Sequence, residues 1–377
     1  MNEGTLINPA KRAFSSKRDI DEALTEIKSA LGSSDDFNLV VFFASPVYAP
    51  EKLATAFKES FPFSQTVGCT TAGESFGGKL LQDSIVVMAF NQKIVKDFKI
   101  EILENLNNER NMDVAINSFQ QYFGKENLSE KPEKYVGLII ADGLNMKEER
   151  IISRINQLIE VDFIGGSAGD NWKMEKTHIY FNGKAYKNAT MLAILEPTEG
   201  FKVIKSQSFV PIGKVAKASL VDESKRCLKK IDGKPAGIFY AEQIGCAKEE
   251  IDKYFLNYSI GIVIYNDAYA HDIKSIDKDY NMYLYSAIPM GAELQVLKTI
   301  DIADSLGEFL AKKIDPLANI SAIINFSCGS RFRKIKRDNR EKEIEEIWKD
   351  YPIVGFGTYG EFYISFINQT SVFLILF

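Results

Sequence analysis

The residues with the clearest chemical potential stand in two glycine-flanked bends, Val67-Gly-Cys-Thr-Thr-Ala-Gly-Glu74 and Val354-Gly-Phe-Gly-Thr-Tyr-Gly-Glu361. Gly68 and Gly73, like Gly355 and Gly360, have the spacing of a phosphate loop, but Glu74 or Glu361 follows where such a loop needs lysine. A carboxylate there repels phosphate, which excludes a nucleotide-phosphate site. Two chemistries stay open. The bends can expose backbone N–H groups to a cleft, with Thr70, Thr71 and Thr358 as small hydroxyls and the acids pairing with a ligand amine. Alternatively, glycine permits a left-handed bend and the acid caps exposed amides.

The bends belong to a repeat. Val67–Phe90 and Val354–Phe377 match without a gap at eight of 24 positions, against about one or two expected from average residue usage. A third copy, Ile164-Gly-Gly-Ser-Ala-Gly-Asp170, adds Ser167 and Asp170 to the same candidate set. Cys328 and Arg331 follow an apolar run, as residues at a strand's C-terminal end would. Arg331 can fork a ligand carboxylate or serve a structural ion pair, and Cys328 can be a redox-sensitive wall or a small core residue. The run Arg331-Phe-Arg-Lys-Ile-Lys-Arg337 reads as a solvated basic loop neutralised by Glu341–Glu346.

Each copy follows elements able to position it. Leu39–Ala44, Val136–Ala141 and Ile320–Phe326 read as buried strands. Helix-period segments follow at Ala49–Phe61, at Met146–Ile159 and later at Glu341–Trp348, where Asp338 and Glu341 suggest a capping box. Asp83–Phe90, His178–Phe181, Thr190–Leu195 and Gln369–Phe377 read as hairpin strands. The fold class expected is α/β (mixed α+β): duplicated strand–helix–strand–hairpin units form mixed sheets covered by helices, in two halves with a cleft between.

Composition narrows the chemistry further. The chain has 377 residues and a formal charge of −5, which does not favour nucleic-acid binding. Its two histidines, His178 and His271, exclude a three-histidine metal site, and no metal is expected. Four separated cysteines without a CxxC pair suggest reduced thiols in a cytoplasmic protein. Met1–Thr5 lacks the basic start of a secretory signal, and apolar runs such as Val372–Phe377 fall far short of the ~20 residues of a membrane helix.

These motifs resemble the FIST family (F-box and intracellular signal transduction). Gly68-Cys-Thr-Thr-Ala-Gly-Glu74 and Ile164-Gly-Gly-Ser-Ala-Gly-Asp170 are similar to the glycine motifs of its N-terminal half. Asp232-Gly-Lys-Pro-Ala236 with Tyr240, Ser327-Cys-Gly-Ser-Arg331, and Val354–Glu361 followed by Asn368-Gln-Thr370 resemble successive elements of its C-terminal half. Two departures are visible. Tyr258-Ser-Ile-Gly261 stands where members often show histidine–proline, and His271-Asp-Ile-Lys274 stands near a frequent arginine.

The resemblance implies an N-terminal domain over 37–197 and a C-terminal domain over 198–377, acting as a sensor and not as an enzyme. The expected ligand is an amino-acid-like or other small polar molecule, held by Thr70, Thr71, Glu74, Ser167, Asp170, Cys328, Arg331, Thr358 and Glu361. The expected output is a separate partner of histidine-kinase or chemotaxis type, with no nucleic acid and no membrane involved. No cofactor is required, although some family members are haem-dependent nitric-oxide sensors. Haem here would need His178 or His271 beside an apolar pocket. A cysteine- or carboxylate-dependent enzyme is the remaining class, and it would need a histidine beside Cys328.

Overall fold

The computed structural model describes residues 10–32, 36–106, 109–264, 267–314 and 319–377, so Met1–Thr5 lies outside the described residues. Three copies of one unit organise the chain. In the first, β1 (Leu39–Ala44), α1 (Pro50–Ser60) and β2 (Gln65–Thr70) lead through the bend into the hairpin β3 (Glu74–Phe76) and β4 (Lys79–Leu81), then β5 (Ile85–Phe90). The second comprises β6 (Val136–Ala141), α2 (Glu148–Leu158), β7 (Phe163–Ser167), the hairpin β8 (Ile179–Phe181) and β9 (Lys184–Tyr186), and β10 (Thr190–Pro197). The third runs β11 (Ala322–Cys328), α3 (Gly329–Arg337), α4 (Glu341–Trp348), β12 (Ile353–Thr358), hairpin β13 (Glu361–Tyr363) and β14 (Ser365–Ile367), and β15 (Thr370–Leu376).

In each unit the first two strands pair in parallel and the last pairs antiparallel with the first. The hairpin does not stay at home. β3 pairs with β12 of the third unit, β13 with β7 of the second, and β8 with β2 of the first. The exchange closes a ring and yields three mixed sheets of six strands each, with the same order: an outer strand, the unit's last, first and second strands, then a neighbour's hairpin. The outer strands are Lys11–Ser15, Val95–Leu103 and Phe201–Gln207. Two of the three hairpins cross the 197/198 position, so backbone hydrogen bonds tie the two halves together.

The apolar alternation follows from this ring. Inward residues of all three sheets, among them Val41, Val67, Leu138, Ile164, Ile324 and Val354, share one core. Phe43 and Phe356 meet there at 4.4 Å between ring centroids. Outward residues pack under the helices, Phe42 on Phe57 of α1, Ile139 beside Ile155 of α2, and Phe373 against Trp348 of α4. Two-sided burial explains why these strands read as continuous apolar runs. Each side chain so buried contributes ~1.5–3 kcal/mol.

The first glycine of each copy serves close approach. A Cβ on Gly68, Gly165 or Gly355 would lie 2.0, 1.8 or 2.3 Å from the carbonyl oxygen of Phe42, Ile139 or Asn325 on the adjacent parallel strand. A fourth sheet of eight antiparallel strands, all from residues 209–299, is inserted before the third unit and covered by the helix Ala236–Ile244.

Three sequence expectations need correction. The basic run Arg331–Arg337 is helical, and both Arg331 and Lys334 are buried. Asp338 makes no capping box for α4, because its carboxylate binds Lys334 at 2.7 Å and Arg337 at 3.0 Å. The gapless repeat also slips. Ala44 and Ser327 are equivalent, since they pair with the equivalent residues Thr70 and Gly357, and they face Ile85 and Ser371. Ser84 therefore corresponds to Thr370. The cause is the third hairpin turn, shortened to the single residue Ile364, which takes a left-handed φ of 61°.

Candidate functional site

The bend acids are hairpin locks. Glu74 is fully buried, accepts from the Ser84 amide at 3.2 Å and hydroxyl at 2.6 Å, and takes a further hydrogen bond from Thr71. Glu361 repeats this with the Thr370 amide at 3.2 Å, the Thr370 hydroxyl at 2.7 Å, and the Thr358 hydroxyl. Burial pushes Glu74 up to about 7 and Glu361 up to about 8, partly opposed by these hydrogen bonds. In the second unit, strand register places Ile179 and Ala189 at the equivalent positions, both fully buried. Acid and hydroxyl are replaced together there, which avoids an unpaired buried polar group.

Asp170 holds the second bend differently. Its carboxylate accepts from the amides of Met174, Glu175 and Lys176 at 2.9, 2.6 and 2.9 Å, and from the Tyr359 hydroxyl of the third unit. Burial works to raise its pKa, but these hydrogen bonds prevail and hold it below the ordinary value. The loop they fix contains three non-glycine residues with left-handed φ, Asn171, Trp172 and Met174. Such conformations persist where surroundings over-determine them, and they cluster at functional sites.

The remaining expected residues are engaged inside. Ser167 donates to Glu148 at 3.1 Å, and Thr70 Oγ1 accepts from the His178 amide at 2.9 Å. Cys328 Sγ lies 3.9 Å from Asp272, and burial raises its thiol pKa well above the ordinary value. Arg331 donates to Ser208 at 3.0 Å and to the Gln369 carbonyl at 3.3 Å, with burial pulling its pKa down to about 10. Of the nine expected residues, Thr70 and Asp170 border a cavity of about 280 Å³.

That cavity sits past the C-terminal ends of β1 and β2, beside the N-terminus of α1, whose N-cap Ala49 supplies no side-chain cap. Lys173, Lys176 and Lys187 line it, and none of the three is in an ion pair among the described residues. Glu51 and Glu175 bring carboxylates, and His178 forms part of the wall. His178 is 7% exposed, and its Nε2 is buried without a partner. Burial, then Lys187, holds its pKa below the ordinary value, so the ring is neutral at pH 7. Sequence reasoning missed the lysines because two come from the loop after Asp170 and one from the strand connection after β9. Only the exchanged hairpin brings them to α1.

Haem can be tested against both histidines. His178 borders a polar cavity. His271 borders an apolar one, but the residues around that cavity include the carboxylate of Glu149 and neither lysine nor arginine among the described residues. Two propionates would find no cation there, so the residues do not fit the group.

Comparison with known proteins gives a consistent relationship. The FIST N domain matches residues 38–234, and the FIST C domain matches 236–364. A protein of Methanocaldococcus jannaschii described as uncharacterized is 22% identical over 375 residues, covering 89% of this chain and 71% of its own length.

Proposed function

The chain belongs to the FIST family, whose domains are sensory domains of signal transduction, and we propose that it senses a small amino-acid-like molecule in the polar cavity between β1, β2 and α1. The carrying observation is the set of charges around a space of about 280 Å³: three lysines in no ion pair among the described residues, the carboxylates of Glu51 and Glu175 beside that of Asp170, which the 174–176 amides already engage, and an uncapped helix N-terminus. A zwitterion satisfies such a set. Its carboxylate meets Lys173, Lys176 or Lys187 and the α1 amides, and its ammonium meets Glu51 or Glu175. The volume lies just below the roughly 300–1,000 Å³ of sites for drug-sized ligands, which suits a metabolite.

The route outward runs through the loop 171–176. Lys173 and Lys176 border the cavity, whereas Trp172 packs on Tyr359 at 5.3 Å and under the Arg333 guanidinium at 5.0 Å. Ligand contacts that favour one loop conformation would thereby bias the surface offered by the third unit. A separate output protein, of histidine-kinase or chemotaxis type, would read that surface in the cytoplasm. Among the described residues no helix is long and apolar enough to cross a membrane. A thermal-shift screen of the full chain over amino acids and related zwitterions tests the proposal. Stabilisation by a member of the set supports it, and folded protein stabilised by none overturns it.

A further inference from the structure

A second cavity, of about 580 Å³, lies where α2, the third unit's hairpin turn and the fourth sheet meet. Its walls are mainly apolar, with Ile152, Ile262, Ile264, Tyr269 and Phe366 contributing. Rim residues Ile264 and Ile364 are 49% and 61% exposed, so the apolar wall opens to solvent. Size and lining match the common small-molecule site, apolar with a few placed polar groups. The acid at the wall, Glu149, is already spent on Arg226 at 2.7 Å and on the Ala287 amide at 2.6 Å.

The placed polar group is His271, which borders the cavity, is 5% exposed, and has a buried Nε2 without a partner. The surrounding network assigns its tautomer. Asn368 Oδ1 accepts from the Asp272 amide at 3.2 Å, which identifies it as the amide oxygen. The Ser286 hydroxyl is 2.7 Å from that oxygen and therefore spends its proton on it. Ser286 must then accept from His271, whose Nδ1 lies 2.7 Å away and carries the ring proton. Burial keeps the imidazole neutral, with its pKa down to about 4. Nε2 is left as a bare acceptor, and an unmet acceptor in an apolar wall selects for a donor.

We infer that this cavity binds a small uncharged molecule with an aromatic or alicyclic body and one N–H or O–H group, which donates to His271 Nε2. The site is separate from the polar cavity and does not depend on the ligand proposed there. It gives the sensor a second input, of opposite polarity to the first.

The test uses the full chain labelled with ¹⁵N-histidine, which gives two ring systems to follow, and three probes: indole, 4-methylphenol and cyclohexanol. Each is paired with its N- or O-methylated counterpart. At least one donor probe should bind saturably, shift the His271 Nε2 resonance, and bind ten-fold or more tightly than its methylated form. His271→Phe should remove that preference. Ile264→Asp, at an exposed rim position, should abolish binding with the His271 ring network unchanged. Equal affinity for a probe and its methylated form would overturn the inference, as would saturable binding by none of the three. A stoichiometric haem Soret band lost in His271→Phe would also overturn it, by giving Nε2 to iron.

Discussion

If Glu361 locks a hairpin, the carboxyl should be replaceable by its neutral isostere but not by a methyl. Its ordinary pKa of 4.5 is raised to about 8, first by burial. Below about pH 4.5 folded and unfolded chains both hold the proton, and stability does not depend on this group. Between 4.5 and 8 the unfolded chain releases the proton while the folded chain keeps it, so stability falls as pH rises. At ~1.4 kcal/mol per unit, the loss complete above pH 8 is on the order of 5 kcal/mol. Glu361→Gln keeps an acceptor for Thr370 and offers a donor to Thr358, so it should match the parent near pH 5 and exceed its stability by ~1–4 kcal/mol at pH 9. Glu361→Ala strands the Thr358 and Thr370 groups and should lie about 3 kcal/mol or more below Glu361→Gln at every pH, its deficit against the parent being largest near pH 5 and shrinking as the parent loses stability toward pH 9. Urea denaturation of the three proteins at pH 5, 7 and 9 reads this directly. A Glu361→Gln protein as unstable as Glu361→Ala at pH 9 would refute the lock and return the carboxylate to the charged form.

Other outcomes follow from the same geometry. Gly355→Ala should destabilise by several kcal/mol or prevent folding, because its Cβ would lie 2.3 Å from the Asn325 oxygen; circular dichroism and expression yield decide. Arg226→Met should cost about 3–5 kcal/mol in chemical denaturation, since it strands the buried Glu148 that Arg226 holds at 2.6 Å. Adding Glu148→Gln should recover much of that loss. Ile364→Gly should raise stability by about 1 kcal/mol, because a β-branched residue at φ 61° costs roughly 1–2 kcal/mol and this one is 61% exposed.

The unit was legible in the chain because its strands are buried on both faces. Leu39–Ala44 and Val136–Ala141 could be bounded to the residue from their apolar runs. The exchange of hairpins was not legible, since Glu74–Leu81 carries nothing that selects β12 over its own unit's edge. The reading of a charge run as a solvated loop likewise failed for Arg331–Arg337, where a charged helix buries Arg331 against Ser208. The bends admitted two readings, and in these contacts the capping one describes what the acids do: Glu74, Glu361 and Asp170 all accept backbone amides. The cavity lysines were out of reach, because Lys173 and Lys187 meet α1 only through tertiary structure.

The account turns on where a ligand binds. Isothermal titration of the full chain with the best-stabilising zwitterion, repeated on Lys176→Ala, Lys187→Ala and Glu361→Gln, tests this most directly. The account predicts one-to-one binding that weakens ten-fold or more in a lysine variant and is unchanged in Glu361→Gln. Binding indifferent to both lysines but lost in Glu361→Gln would contradict it.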